Sequence, residues 1–586
     1  MGCPMPQVDL DIWFHLTFEL LDDPCEHILA GAWEEKSGAP EGVKQQTYFH
    51  RVVAEALWGP ANAPDKAALR VFNRKACDDA PWIAEWWGKG KSKDDRGATQ
   101  FQLNILGATL QILRPASPAL PLPGLGILSV NVKVAGVRHQ KPGEAEAVFE
   151  GLTINDALDA LNCTRRVFAR RFRRDAPDIP ENALARVFRV GGAEHGMPTS
   201  TEQKAYGTEH QTPKVATWVA ELLAPIRIDG KTATLFGDER ASMTSFVALK
   251  VPQGQTPVDA FRAIHDSVFF RLAEVDSGGA GYPSQPEFLN DLRADYFVDR
   301  HAPSPEPRDG ENPGNSTRWI TGPNHLCGIG TEDFARNYGV KNNRRYYRFI
   351  HLLCLLEQHR LLQFSRQIAD LVARKGGLSP AEFRAELLAL RGAFLDFTHR
   401  LHFTTISAQA LPQDLYARLY RVMGLDRLYT AVESELGAAA DYAALQEADE
   451  AARRAERLNN VVALGVPVAL VVGALGMNIL VGDRFPSVFD GWVCVREHPF
   501  RYDLFQTSVV TALVLTLWYL GNRYMLAHGP DSAKAAERWW WAMLGAWIVA
   551  LCLFLLLGEV RGPCKSPDPG SASQVTDPPE GRFGFV

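Results

Sequence analysis

The stretch LNNVVALGVPVALVVGALGMNILVG, residues 458–482, carries no charged side chain, and its reading decides the fold expected of this chain. At ~1.5 Å per residue, a helix of that length crosses the ~30 Å hydrocarbon core of a bilayer. The stretch therefore predicts a membrane helix near the C-terminus, with Gly476-Met477-Asn478 towards its far end. Steps of three to five residues back from Asn478 give Gly473, Ala469, Val466, Val462 and Asn459, which share roughly one helix face. In a symmetric bundle that face lines a pore, narrow at Gly473 and Ala469 and hydrophobic at Val466 and Val462. The same small residues also serve close helix packing. Pro467 removes one helical hydrogen bond and predicts a kink beside the constriction.

Two further apolar segments follow, so that residues 458–480, 504–524 and 539–558 read as three spans. Arg453, Arg454 and Arg457 precede the first span, and Arg523, Lys534 and Arg538 fill the link between the second and third. Lys and Arg concentrate on the cytoplasmic side, which places the N-terminal part inside and the tail, 561–586, outside as a disordered segment. The remainder reads as aqueous, since 46% hydrophobic and 22% charged residues with a mean hydropathy of -0.14 are ordinary for globular protein. A formal net charge of -6 over 586 residues argues against a general nucleic-acid binder. Nine Cys without paired spacing exclude a disulfide framework and a zinc motif. Met1-Gly2-Cys3-Pro4 opens no secretory leader.

Residues 1–340 read as an α/β domain. Ala108–Leu113, Gly126–Val134 and Ser242–Val251 have the apolar, β-branched character of strands, and Leu152–Phe172 and Pro257–Ala273 read as helices. Pro303–Pro323, rich in Pro, Gly and Asn, reads as a linker. Residues 341–457 read as a helical stalk bundle: helices over Tyr346–Lys375 and Pro380–His402, then a long helix in which Leu415, Leu419, Val422, Leu428, Val432 and Leu436 recur at helical spacing. Gly424 marks a soft spot and Pro412 a helix start.

The Gly476-Met477-Asn478 signature, with Tyr346-Tyr347-Arg348-Phe349 and Gly124–Val130, resembles the CorA family of divalent-cation channels. The resemblance implies a CorA-like fold: an α/β cytoplasmic domain, a long α-helical stalk and C-terminal transmembrane helices. It also implies a homopentamer in the inner membrane of a bacterium, with Mg²⁺ as the transported or regulatory ion and a ring of Asn478 amide oxygens meeting the hydrated cation. Neutral oxygens suit an ion that gives up water reluctantly. The chain departs from the family in its third apolar segment and in scattering Asp483, Asp490 and Glu497 where an acidic loop motif is usual.

Arg165, Arg166, Arg170 and Arg171 crowd one helix end, where Arg suits an anion or nucleotide; such clusters also serve as wet, ion-paired faces. The pairs His351 and His359, and His399 and His402, have helical spacing open to metal binding or to structural use. No Ser, Cys or carboxylate set has catalytic spacing, so no enzyme and no organic cofactor are expected. The expected partners are the bilayer, divalent cations, further copies of the chain and a possible nucleotide. The leading expectation is a divalent-cation channel. The alternative is a CorA-like membrane effector gated by a nucleotide signal in a bacterial, CRISPR-associated defence system, and a third is a membrane-anchored binding protein without conduction.

Overall fold

Gln7–Leu20 (β1) alternates without a break: Val8, Leu10, Ile12, Phe14, Leu16, Phe18 and Leu20 face one way, and Asp9, Asp11, Trp13, His15, Thr17 and Glu19 the other. A period of two is the signature of a strand whose faces meet different surroundings. A computed structural model of the chain describes residues 7–21, 31, 33–40, 48–75, 81–87, 98–113, 122–140, 148–167, 185–189, 215, 217–228, 232–236, 240–275, 286–301, 317–331 and 334–476, with 515, 516, 518, 519, 541 and 545. In it β1 is the centre of a mixed sheet of thirteen strands among the described residues.

The other strands are β2 Trp33–Lys36, β3 Leu69–Arg74, β4 Trp82–Trp87, β5 Ala98–Leu113, β6 Gly124–Gln140, β7 Leu152–Thr153, β8 Ala185–Arg189, β9 Ala233–Leu235, β10 Ser242–Leu249, β11 Phe297–His301, β12 Thr317–Gly322 and β13 His325–Thr331. The principal order is β11-β12-β13-β10-β1-β6-β5-β3-β2. The pair β10–β13 is parallel, while β1 runs antiparallel to both β10 and β6. The helices are α1 Arg51–Trp58, α2 Ile154–Thr164, α3 Thr217–Leu223, α4 Pro257–Arg262, α5 Asp266–Glu274, α6 Pro286–Tyr296, α7 Arg348–Arg374, α8 Pro380–Leu401, α9 Ala410–Val422 and α10 Leu425–Gly476.

Helices cover both faces of the sheet, giving three layers. The apolar face of β1 joins Met243, Val247 and Leu249 of β10 and the buried sides of α2, α3 and α5 in one core. The opposite face contributes Leu125, Ile127, Phe246, Ala248 and Leu326 to a second core with α1, α7, α8, α9 and the start of α10. Ser379 and Glu382 form a capping box that starts α8, with Pro380 in its first turn. Gly424, at φ +69°, separates α9 from α10, a left-handed position that suits glycine.

These packings correct the expected fold. The helices read as a separate stalk lie on the sheet, because their apolar stripes and the sheet's second face bury each other, and Met1–Ala444 forms one compact unit, with Leu445–Val586 as the other. Part of the supposed linker is β12, whose Trp319 and Ile320 are buried. Among the described residues no helix is long and apolar enough to cross a membrane. The transmembrane fold, the membrane-transporter reading and the multi-pass inner-membrane location are therefore not carried forward. Apart from positions 515, 516, 518, 519, 541 and 545, the second and third apolar segments lie outside the described residues, as does the tail.

A Cβ added at Gly322, in the β12–β13 hairpin, would meet the carbonyl oxygen of Ala273, which is backbone that cannot swing aside. Gly322→Ala is expected to lower unfolding free energy by about 1–3 kcal/mol through overpacking, read as a reduced urea midpoint with an unchanged slope.

Candidate functional site

The polar face of β1 lies under α7 and the turns that lead into it. Asp9 pairs with Arg336 (2.8 Å) and Asp11 with Arg344 (Nε–Oδ2 2.9 Å). The Trp13 ring lies under the Arg348 guanidinium at 3.8 Å. His15 bonds Ser129 (2.9 Å) and Thr244 (3.2 Å), and Thr244 also bonds His351 (3.1 Å). Thr17 bonds His359 (2.9 Å), while Glu19 accepts from Gln363 (3.0 Å) and Arg366 (3.0 Å). From Asp11 to Trp13 and from Thr17 to Glu19, strand residues two apart meet partners four apart, since two strand steps span ~6.6 Å and four helical ones ~6 Å.

The histidines of this layer are structural. Burial pushes His351 down to about 3 and His359 to about 4, and drives His15 well below the ordinary imidazole value. His325, on β13, is likewise held at about 4 by burial and bonds Ser245 and the Leu272 carbonyl. A neutral imidazole donates at one nitrogen and accepts at the other, which suits chains of hydroxyls. No group of three or more His, Cys, Asp or Glu suited to a metal ion occurs among the described residues.

At the Trp13 rung the layer opens into a cavity of about 630 Å³, within the usual range for small-molecule sites. Its floor is Trp13 of β1, Asn131 of β6 and Thr109 and Gln111 of β5; its walls include Trp58 of α1, Leu69 and Arg74 of β3, and Arg344, Arg348 and Phe349. Among the described residues four cations line it, Lys36, Arg74, Arg344 and Arg348, and no acidic residue does. Exposed Lys36 is paired with Glu34, Arg74 donates to the Leu222 carbonyl, and Arg344 is held by Asp11. Arg348 is different. It is buried between the Trp13 and Phe349 rings, and its Nε has no hydrogen-bond partner among the described residues. Burial lowers its pKa to about 9, so it remains a cation at neutral pH. Trp13 Nε1 and Asn131 Oδ1 are also buried and unpartnered. Two donors and an acceptor without partners beside one cavity are the pattern of a site built for a polar guest, because leaving such groups unpaired costs roughly 1–3 kcal/mol each.

The local backbone contributes. Ala335–Gly339 and Asn343–Tyr347 are π-helical, a geometry found often at functional sites, and they set Arg344 and Arg348 over β1. Gly339 is needed there because any Cβ would run into the Phe246 ring.

Of the residues singled out by sequence, His351 and His359 lie in this layer, and the others are elsewhere. Arg165 ends α2 and donates to the Glu274 carbonyl; Arg166 donates to Asn162; both are buried. Arg170 and Arg171 lie outside the described residues, as do Met477 and Asn478. Asn459, Val462, Val466 and Ala469 are exposed on α10, where Gly473 and Gly476 also lie. His402 bonds Glu357 (2.7 Å), which also accepts from Tyr420 (2.7 Å). Sequence reasoning passed over β1 and Arg348; the unbroken alternation of Gln7–Leu20, with a Trp among its polar positions, was the available signal.

No known family profile matches this chain, and no curated protein matches it. A solved structure described as the full-length CmaX protein is similar over 49% of this chain and 90% of its own, at 13% identity and a TM-score of 0.20.

The neutral histidines have a measurable consequence. Their folded pKa values lie below the unfolded value near 6.5, so the unfolded chain takes up protons first as pH falls. Their contribution is fully present above pH 6.5 and is lost towards pH 4, at up to ~1.4 kcal/mol per pH unit for each histidine. Asp11, whose pKa burial raises, acts in the opposite sense and offsets one such group. The urea midpoint is expected to fall steeply between pH 6.5 and 4, and His359→Gln to make that fall shallower.

Proposed function

We propose that the Met1–Ala444 unit is a regulatory binding module for a nucleotide-class ligand, an anion carrying a planar ring. The observation that carries this reading is the buried Arg348 guanidinium, stacked on Trp13 in a cavity that has no acidic lining residue among the described residues. A phosphate in the cavity neutralises the Arg348 guanidinium. Trp58 and Phe349 add aromatic lining against which a planar base packs. Binding rather than chemistry is favoured by a lining that, among the described residues, holds no Asp, Glu, His or Cys, groups that ordinarily move protons or attack substrates. Arg348, and not the cluster that begins at Arg165, is the candidate anion site, since Arg165 and Arg166 are held by Glu274 and Asn162.

Calorimetric titration of the full chain with adenosine and guanosine nucleotides tests the reading, with Trp fluorescence as a second signal. At least one is expected to bind with micromolar affinity and to quench Trp emission. Arg348→Met keeps the apolar stem and removes the charge, and is expected to weaken binding about 10–100-fold, the equivalent of a charged hydrogen bond of about 1.5–3 kcal/mol. Absence of binding at millimolar nucleotide would refute the proposal.

A further inference from the structure

Resting on the nucleotide reading, we infer that this cavity selects a monoanionic phosphodiester over a dianionic phosphomonoester, and that Asp11 sets the preference. The argument is a balance of buried charge. Arg344 reaches the cavity but is bound to Asp11, a carboxylate 4% exposed on β1, so this pair brings no net charge. Lys36 is exposed and paired with Glu34, and Arg74 is half-buried, so water screens both. That leaves Arg348 as one deeply buried positive charge facing the cavity without a counter-ion among the described residues. A guest with one negative charge cancels it. A second negative charge would have no unpaired buried cation to meet it and would lie near the Asp11 carboxylate behind the floor, and bringing an uncompensated charge towards buried surroundings is expensive.

Asp11 is held in place for this role. Its Oδ2 accepts from Arg344, Asn131 and Lys133 face it from β6, and its Oδ1 is buried without a partner. Asn131 also lines the cavity, so Asp11 lies immediately behind the cavity floor. The carboxylate thus competes with any guest for Arg344, and a guest needing two cations must displace it. A phosphodiester, satisfied by Arg348 alone, leaves the Asp11–Arg344 pair undisturbed.

Calorimetry at pH 7.5 with 3′,5′-cyclic AMP and 5′-AMP on the full chain provides the test, since the monoester is then largely a dianion, its second pKa lying near 6. The wild-type protein is expected to bind the cyclic diester at least about tenfold more tightly. Asp11→Asn, which keeps the shape and frees Arg344, is expected to tighten 5′-AMP about tenfold and leave the diester within about threefold. Arg344→Gln, a second variant that leaves Asp11 facing Arg348, is expected to weaken both ligands. Thermal melts confirm that the compared variants are folded, and the Arg344→Gln result stands if the Asp11 variant fails to fold. Equal affinity for the two nucleotides in wild type, or an unchanged ratio in Asp11→Asn with diester binding intact, overturns the inference and leaves the nucleotide reading standing. Loss of all binding in wild type overturns both.

Discussion

The constraint on which the rest depends is that a central strand buries a polar face. β1 has apolar residues on one side, which any sandwich would bury, and Asp, Trp, His, Thr and Glu on the other, beneath a helix. Every one of those polar groups must find a partner in a layer that water does not reach, because an unsatisfied buried polar atom costs about as much as several buried methylenes contribute. Most partners come from α7 and its lead-in, from Arg336 at Asp9 to Arg366 at Glu19, while His15 is met by Ser129 of β6 and Thr244 of β10. Such matching fixes the helix on the strand more tightly than apolar packing does, since a one-residue slip would break every bond in the row.

The row is graded. Charged pairs occupy its ends, Asp9 and Asp11 at one and Glu19 at the other, while its middle is filled by neutral hydroxyls and imidazoles. This distribution follows the cost of desolvation: ions stay near the margins, where Arg366 and Arg336 reach solvent, and neutral donors and acceptors go deepest. Arg348 departs from the pattern. It is a deep cation held by ring faces instead of a carboxylate, at the rung where the cavity opens. Departures from an otherwise satisfied network concentrate at sites that await a guest.

The correction of the expected architecture follows from the same layer. Helical periodicity in 346–436 announced amphipathic helices correctly, and α7, α8 and α9 occupy those segments. Periodicity states that a stripe is apolar and leaves open what covers it, so a stalk of helices and a helical layer on a sheet read alike. The apolar run in α10 posed a related ambiguity: by sequence it reads as a span, yet no helix among the described residues is long and apolar enough to cross a membrane.

What the sequence determined by itself is local. The alternation in Gln7–Leu20, the β-branched runs in β5, β6 and β10, the capping box at Ser379 and the glycine at 424 each follow from side-chain spacing or backbone freedom within a few residues. The cavity was beyond that reach. Trp13, Asn131 and Arg348 are separated by more than a hundred residues at each step, and nothing near any of them marks it as part of a site. The decisive property of Arg348 is its isolation from carboxylates, and that exists only once strand pairing has put Asn131 beside Trp13 and the π-helical turns have laid the arginine on the ring. A charge becomes unusual through what surrounds it, and for this chain the tertiary structure alone supplies the surroundings.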